Sequence, residues 1–597
     1  MKKNIKFALL LTPLVVLTAC KTNTNTSTSS SGIITTTTTE GRNTNLDNII
    51  DVNTVKRNLY TTSEDVRATV DINYFNDNNV PYIEISEFFK ILDIAYEDSY
   101  SDSNVSYTID KSIGNQVKVT RENSSYVIFD ASKNDVTISD SNYFYESSHS
   151  NPLCFLPDYG DLGVAGVDTD IKFVANSTKA ENKYFGGEEV NFDFDDYNIK
   201  TIAYDNNLYL PFTTLSDMFL AVLYAPMVVF DNGIFSPELS DFPADLYKRG
   251  KINLTSEVID YHYDELAFNL DFNYGLDGRR EELLNQFNCN KMSEVFRKEY
   301  IKRDNLFELD VDLTNLLSYT LDDIHSYILG YTPMLPYSER YQIYGREVMG
   351  ERGTSFYQEY ANVKSNYTLS SGYNEYDDTA IISFTSFYEL DDNLYNNVDD
   401  LSNNASDCGE LFAYAYKMIT RNNTPVKNIV IDITRNGGGD TRCGAFIAGM
   451  FSDYVVSYIA NGSLNGSGLG ISYYESDCNL DGVIDENDKL ISVGDYNIYC
   501  LTSSISFSCA NMLPHMLRDS NPNIKIIGHQ SAGGECCILP CATVYGTLYT
   551  ISGSTALKMI GTNGEYVTTD FGVPVDYEFE GYDYMQVNNV LDYVRSV

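Results

Sequence analysis

A serine beside a strand-to-helix corner, a histidine after a pair of aspartates, and a glycine-rich turn after a buried strand can together perform acyl transfer. The serine segment is Thr502-Ser503-Ser504-Ile505-Ser506-Phe507-Ser508-Cys509-Ala510-Asn511, preceded by the apolar run Tyr499-Cys500-Leu501. A helical pattern through Met512, Leu513, Met516 and Leu517 follows. A hydroxyl at such a corner lies near a helix N-terminus, where a developing oxyanion is stabilised. The glycine segment is Asn428-Ile429-Val430-Ile431-Asp432-Ile433 running into Thr434-Arg435-Asn436-Gly437-Gly438-Gly439. Without Cβ atoms, its backbone N–H groups can approach a ligand closely. Gly438 or Gly439 would offer one oxyanion donor and the N–H of Cys509 a second. The histidine lies in Leu321-Asp322-Asp323-Ile324-His325-Ser326, after a helical stretch. A phosphate cradle would use a similar glycine turn, but no Gly-Lys-Ser/Thr follows.

These groups need strands to hold them. Thr379-Ala380-Ile381-Ile382-Ser383-Phe384, Asn428–Ile433, Tyr499–Leu501 and Ile524-Lys525-Ile526-Ile527-Gly528 read as buried strands. Alternating with helical patterns, they predict an α/β core.

In this order the segments resemble the C-terminal processing (tail-specific) serine protease family. Its "DxHS", "DLRxNxGG" and "SxSxA" elements align with Asp323–Ser326, Asp432–Gly439 and Ser506–Ala510, over about residues 255 to 580. The resemblance implies a crotonase/ClpP-like α/β protease fold and Ser508 as nucleophile, with Ser506 and Ser504 two and four positions away. The family's Ser/Lys branch places a lysine in a turn where this chain has Gly528-His529-Gln530-Ser531-Ala532-Gly533-Gly534-Glu535, and downstream of that turn no lysine comes nearer than Lys558. The tricorn-like branch implies His325 as base, with Ser326 as an adjacent hydroxyl and an acid just before Gly572-Val573-Pro574-Val575-Asp576. Asp570 and Glu565 are the candidates. His515 and His529 are rival bases, and Cys509 a rival nucleophile. About fifty residues separate His325 from the strand at Ala380, too few for the family's PDZ domain, so tail recognition is not implied.

A second chemistry-bearing segment precedes the serine. Residues 477–488, Asp-Cys-Asn-Leu-Asp-Gly-Val-Ile-Asp-Glu-Asn-Asp, place oxygens at positions 1, 3, 5, 7, 9 and 12 of a twelve-residue calcium loop with glycine at position 6. Asp477, Asn479, Asp481, the Val483 carbonyl, Asp485 and Asp488 are the predicted ligands of a structural Ca²⁺. No cofactor is expected for catalysis.

The N-terminus reads as an export address. Lys2, Lys3 and Lys6 precede an apolar run from Phe7 to Leu17 that ends in Leu17-Thr18-Ala19-Cys20. This looks like a bacterial lipobox and implies cleavage after residue 19 and lipidation of Cys20, which anchors a chain without a spanning helix. The predicted location is the extracytoplasmic face of the cell membrane. Residues 20–45 are rich in Thr, Ser and Asn and predict a flexible tether.

Residues 46–245 show short apolar runs broken by Asn, Asp and Gly, predicting a β-rich module. Two stretches echo each other: Asn78–Ile83 leads into Ser86–Leu92, and Asn206–Pro211 into Leu215–Phe219. Each predicts a turn, a strand and a short helix, similar to the stalk modules named after the copper amine oxidase N-terminal domain. His149 reads as a loop residue and His262 as structural.

The whole is a multidomain chain: a β-rich module, then a catalytic domain over 246–597 with the calcium loop inserted. With 41 Lys+Arg against 84 Asp+Glu, the net charge of −43 repels nucleic acid. The expected partners are a protein or peptide substrate and the membrane. Of 11 cysteines, ten remain beyond Cys20, which permits disulfides of undeducible pairing. Paired CxxC spacing for zinc is missing. Two other readings fit the same chain: an inactive protease-fold binding protein, or a calcium-dependent adhesin.

Overall fold

The computed structural model describes residues 34–37, 49, 51–61, 65–99, 106–121, 124–140, 174–237, 244–300, 302–387, 394–461 and 468–597. Cys20 and His149 lie outside the described residues. Four sheets organise these segments.

The sheet that carries the serine and glycine corners has six strands, in the order Gly372–Tyr376, Thr379–Ser383, Asn428–Asp432, Asn497–Thr502, Lys525–Gly528 and Tyr577–Glu578. From Thr379–Ser383 onward the pairings are parallel. Thr379–Ser383 and Asn428–Asp432 are buried at every residue, because helices cover both faces of such a sheet. That burial is why these strands read as unbroken apolar runs. The four strands expected from the sequence are the four central ones.

A second sheet holds the other half of the site. It runs Lys183–Phe185, Leu469–Ser476, Val455–Asn461, Leu548–Ile560, Tyr327–Gly330, with Cys536–Ala542 and Tyr566–Thr568 also on Leu548–Ile560. The short strand after His325 pairs with the long one, and Thr550 Oγ1 donates to the His325 carbonyl at 2.7 Å.

The N-terminal module holds a seven-stranded and a six-stranded sheet. The two echoing stretches are Tyr82–Glu84 followed by the helix Ile85–Ser99, and Asn207–Pro211 followed by Phe212–Leu215. Their strands pair antiparallel, Tyr209 opposite Glu84 and Pro211 opposite Tyr82. One apolar core joins this module to the second sheet: Phe88, Phe219, Phe268, Tyr545, Tyr549 and Ile551 belong to it.

Two expectations need correction. Within the 20–45 segment, Ile34–Thr37 is an edge strand parallel to Tyr107–Asp110 rather than tether; β-branched residues favour that backbone. Val174–Asn176 and Lys183–Phe185, inside the 46–245 span, pair with the protease-side strand Leu469–Ser476. They cover an edge that would otherwise expose unpaired backbone groups, so the module is not a contiguous unit ending at 245. Among the described residues no helix is long and apolar enough to cross a membrane, and no disulfide joins the described cysteines.

Candidate active site

The serine corner is shaped by a strand end. Asn497–Thr502 stops at Thr502, and the helix Cys509–Ser520 starts at Cys509 with Ser508 at its N-cap. Ser508 has φ 58°, a backbone conformation that costs a non-glycine residue free energy and recurs at functional corners. Its hydroxyl has no hydrogen-bond partner among the described residues and is partly exposed. The neighbouring serines are engaged. Ser506 Oγ donates to the Ile433 carbonyl at 2.8 Å and accepts from the Ser503 N–H at 3.0 Å, and Ser504 Oγ donates to Glu359 at 3.1 Å.

Asp432, at the end of its strand, organises the glycine turn. It accepts from Thr434 N–H and hydroxyl at 3.0 and 2.6 Å, and from Tyr367 and Ser383 at 2.7 and 2.5 Å. Gly438 lies so close that a Cβ there would sit 2.7 Å from the Ser508 Cβ. Its own N–H, however, is committed to Asn436 Oδ1 at 2.9 Å, which corrects the expectation that it is a free oxyanion donor. Gly439, exposed at φ 137°, and the first helical N–H, that of Cys509, keep donors beside Ser508 without acceptors among the described residues.

His325 arrives from the second sheet. It is 3% exposed, and its ring packs on the Phe507 ring at 4.6 Å between centroids. The residue it touches is therefore the one immediately before Ser508. Neither ring nitrogen has a hydrogen-bond partner among the described residues. Burial pulls its pKa below the usual histidine value, against the pull of the Asp323 carboxylate, so the ring is neutral at pH 7. Asp323 accepts from the His325 N–H at 3.1 Å and from Ser326 Oγ at 2.7 Å, which pins the loop.

Of the two candidate acids, only Asp570 reaches this region. Glu565 sits exposed in the turn between Leu548–Ile560 and Tyr566–Thr568, accepting from the Asn563 N–H at 2.9 Å. Asp570 is 2% exposed. The elbow is tied to it: Ser508 N–H donates to the Gly533 carbonyl at 3.0 Å, and Gly533, at φ 84°, lies against the Asp570 backbone. Asn511, one helical turn after Ser508, donates to the Thr569 carbonyl at 3.1 Å. Burial pushes the Asp570 carboxyl up to about 6; the Arg352 guanidinium, 3.7 Å from Oδ1, opposes this, while Glu535 and Asp323 add to it. Oδ2 is buried without a hydrogen-bond partner among the described residues. Burial, and then the Asp323 and Asp570 carboxylates, also push up the Tyr274 hydroxyl, which has no hydrogen-bond partner among the described residues. Unpaired buried polar groups are rare and mark strained or reactive places.

Arg352 carried no sequence signal. It is placed by Asp322, which caps the helix Glu351–Asn366 by accepting from the N–H groups of Arg352 and Gly353 at 2.7 and 2.8 Å. Lys558 is held in a buried pair with Glu535 at 2.8 Å. Burial would pull the ammonium down, but the carboxylate outweighs it and raises its pKa. Neutralising it would strand a buried charge, at a cost of about 3–5 kcal/mol. His529 Nε2 lies 3.0 Å from the Phe579 carbonyl, and His515 is enclosed in its helix with its pKa driven by burial to about 3. Burial raises the Cys509 thiol well above its usual pKa, which removes the thiolate a nucleophile requires. His262 bonds Tyr300 inside the core at 2.9 Å.

In the 477–488 loop, Asp477 accepts from the N–H groups of Asp481 and Gly482, and Asp488 from those of Asn479 and Asp485. Gly482 takes φ 83° at the sharp turn. Among the described residues no three His, Cys, Asp or Glu side chains form a metal cage; the loop carboxylates cap its own backbone. The donor set is nonetheless that of a hard cation. Burial, and then the nearby Asp477 and Asp481 carboxylates, push Asp488 up to about 7, a crowding of like charge that a cation would relieve.

Residues 378–578 match the profile of peptidase family S41. The chain carries a peptidase family S41 domain. Members of that family are serine peptidases. The match spans Ser508, the glycine turn and Asp570 but not His325. No curated protein matches the chain by sequence. Among solved structures, the chain is similar to a lipoprotein from Streptococcus agalactiae, with 12% identity over 58% of this chain and 99% of that one, TM-score 0.33. It is also similar to mature CPAF complexed with lactacystin, with 10% identity over 57% and 98%, TM-score 0.34. A third is the photosystem II D1 C-terminal processing protease, with 16% identity over 36% and 46%, TM-score 0.23.

Proposed function

We propose that this S41 protein is an exported, lipid-anchored endopeptidase that cleaves polypeptides through an acyl-enzyme on Ser508. The observation that carries the reading is the unengaged Ser508 hydroxyl at a strained corner, with the neutral His325 ring packed on the residue before it. A serine hydroxyl is a poor nucleophile until a base takes its proton. His325 takes that proton as Ser508 Oγ attacks the scissile carbonyl, and returns it to the leaving amine. Asp570 Oδ2 accepts the other ring N–H and steadies the imidazolium. The N–H groups of Gly439 and Cys509 receive the oxyanion. Water then repeats the sequence to release the acyl group. The hydrogen bonds from the ring to hydroxyl and carboxylate form once substrate occupies the corner, as catalytic contacts often tighten only in the complex. A fluorophosphonate probe tests this: the native protein labels covalently, and absence of labelling under conditions where it is folded overturns the reading.

Anchoring rests on the lysine-led apolar run ending in Leu-Thr-Ala-Cys20. Cells grown with an alkyne fatty acid will label the native chain, and Cys20→Ser will lose the label and leave the membrane fraction. Labelling that persists in Cys20→Ser would refute it.

The 477–488 loop binds a structural Ca²⁺ through Asp477, Asn479, Asp481, the Val483 carbonyl, Asp485 and Asp488, taking no part in the proton transfers. At 2 mM Ca²⁺ and a dissociation constant on the order of 10⁻⁴ M, binding stabilises the fold by about 2 kcal/mol. Chelation is expected to lower the melting temperature by a few degrees, restored by Ca²⁺ in the native chain but not in Asp488→Asn. Identical melting with and without chelator would exclude the ion.

A further inference from the structure

Of the large apolar side chains that the described residues expose, six gather within residues 319–349: Tyr319, Tyr337, Tyr341, Tyr344, Val348 and Met349. A single exposed apolar side chain needs no explanation, but a group of them marks an interaction surface. Tyr337, Tyr341 and Tyr344 follow one another at i, i+4 and i+7 along the helix Tyr337–Tyr344, which puts them on one face, 82%, 71% and 61% exposed. Ile343 lies on the opposite face, buried in a small core with Val311, Tyr331 and Leu335. The Tyr344 ring stands edge-on to the Tyr331 ring at 5.4 Å between centroids. The helix is thus fixed from beneath and presents its tyrosines outward.

We propose that this face docks the substrate polypeptide away from its scissile bond, and that it takes unfolded segments rich in apolar side chains and neutral or basic in charge. The inference deepens the peptidase reading and rests on it. The surface is continuous with the Ser508 corner. Tyr319 lies in the helical turn Leu316–Leu321 that leads into the His325 loop. The far end of the patch is bonded to the same helix end: Val348 N–H donates to Asn315 Oδ1 at 2.9 Å, Ser318 Oγ to the Val348 carbonyl at 3.2 Å, and Gly350 N–H to the Ser318 carbonyl at 2.8 Å. The helix Glu351–Asn366 follows, starting on Asp322, and brings its Phe356 ring to 5.7 Å from that of Phe507, the residue before Ser508. Charge selects the occupant. Both arginines of the stretch are engaged, Arg340 with the Leu335 and Pro333 carbonyls at 2.8 and 3.2 Å and Arg346 with Glu308 at 2.9 Å. Neither is left to attract anionic lipid headgroups. A second copy, at net charge −43, is repelled. Tyrosines offer a polypeptide large contact area at low cost in side-chain entropy. Docking remote from the reacting bond holds ground state and transition state alike, so it acts on KM rather than kcat.

The test uses the full chain and a fluorescently labelled synthetic peptide rich in Phe, Leu and Lys, beside the same peptide with serine at every Phe and Leu. Tyr337→Ser/Tyr341→Ser removes the two most exposed rings of the face and leaves the core beneath untouched. Binding is read by fluorescence anisotropy in the Ser508→Ala background, where the peptide is not consumed. The apolar peptide is expected to bind more tightly than the serine peptide, and the double variant to raise its dissociation constant about tenfold. Tyr337→Phe/Tyr341→Phe keeps the binding, because rings rather than hydroxyls make the contact. With Ser508 intact, the double serine variant is expected to raise KM for the apolar peptide by a similar factor and to hold kcat within about twofold. An unchanged dissociation constant and KM overturns the proposal, as does a fall in kcat at constant KM. Tyrosine-dependent sedimentation with anionic phospholipid vesicles in place of peptide binding, or a native dimer that the double variant turns into monomers, overturns it too. Tyrosine-dependent binding without cleavage by the native chain overturns the peptidase reading instead and leaves the docking surface standing.

Discussion

Ser508→Ala is expected to abolish labelling by a fluorophosphonate probe and to lower peptide turnover on the order of a millionfold, with the melting temperature unchanged within about a degree. The fold should survive because the interactions at this position are made by the backbone. The Ser508 carbonyl accepts from Asn511 and Met512, and its N–H reaches Gly533, all of which an alanine keeps. The informative control is Ser506→Ala. That change removes a buried hydroxyl bonded at both ends, costing about 1–3 kcal/mol of stability, yet it should leave the nucleophile in place and labelling intact. Should Ser506→Ala rather than Ser508→Ala eliminate labelling in folded protein, the assignment is off by two positions. Activity measured against pH and temperature separates the two effects.

His325→Gln is expected to slow acylation by a comparable factor, and the pH profile of the native protein identifies the base independently. A base works in its neutral form. Because burial lowers the His325 pKa, protonation begins only below the usual histidine value of about 6.5. Asp570 must be ionised to steady the imidazolium, and its carboxyl takes up a proton around pH 6. Both signs agree: the rate is flat above neutrality and falls as pH drops through about 6. Asp570→Asn should reduce the rate by roughly 10³–10⁴-fold, by analogy with the loss of the orienting acid in other triads, and should remove the Asp570 contribution to the acid limb. An acid limb centred near pH 8–9 would instead identify an amine base. Lys558 offers none, being tied to Glu535.

Arg352 links these arguments, because its guanidinium limits how far burial raises the Asp570 pKa. The helix that brings it is capped by Asp322, in the same loop as His325. One loop thus orients the base, through Asp323, and the cation that keeps the acid ionised, through Asp322.

What the sequence determined by itself is local. Thr379–Ser383, Asn428–Asp432 and Lys525–Gly528 are legible because a parallel strand covered on both faces is apolar at successive positions. The Ser508 corner, the glycine turn and the 477–488 loop are legible because positive-φ geometry and oxygen spacing leave marks within a dozen residues. The tertiary structure decided everything that depends on a distant partner. Asp570 and Glu565 are five positions apart and chemically alike, yet one is buried against the elbow and the other turns into solvent. The Gly438 N–H looks available until Asn436 folds back to take it. Strands 174–176 and 183–185 leave their own module because an edge elsewhere needs covering. Periodicity and turn chemistry act over a few residues; burial, which sets these pKa values and selects these partners, depends on the whole fold.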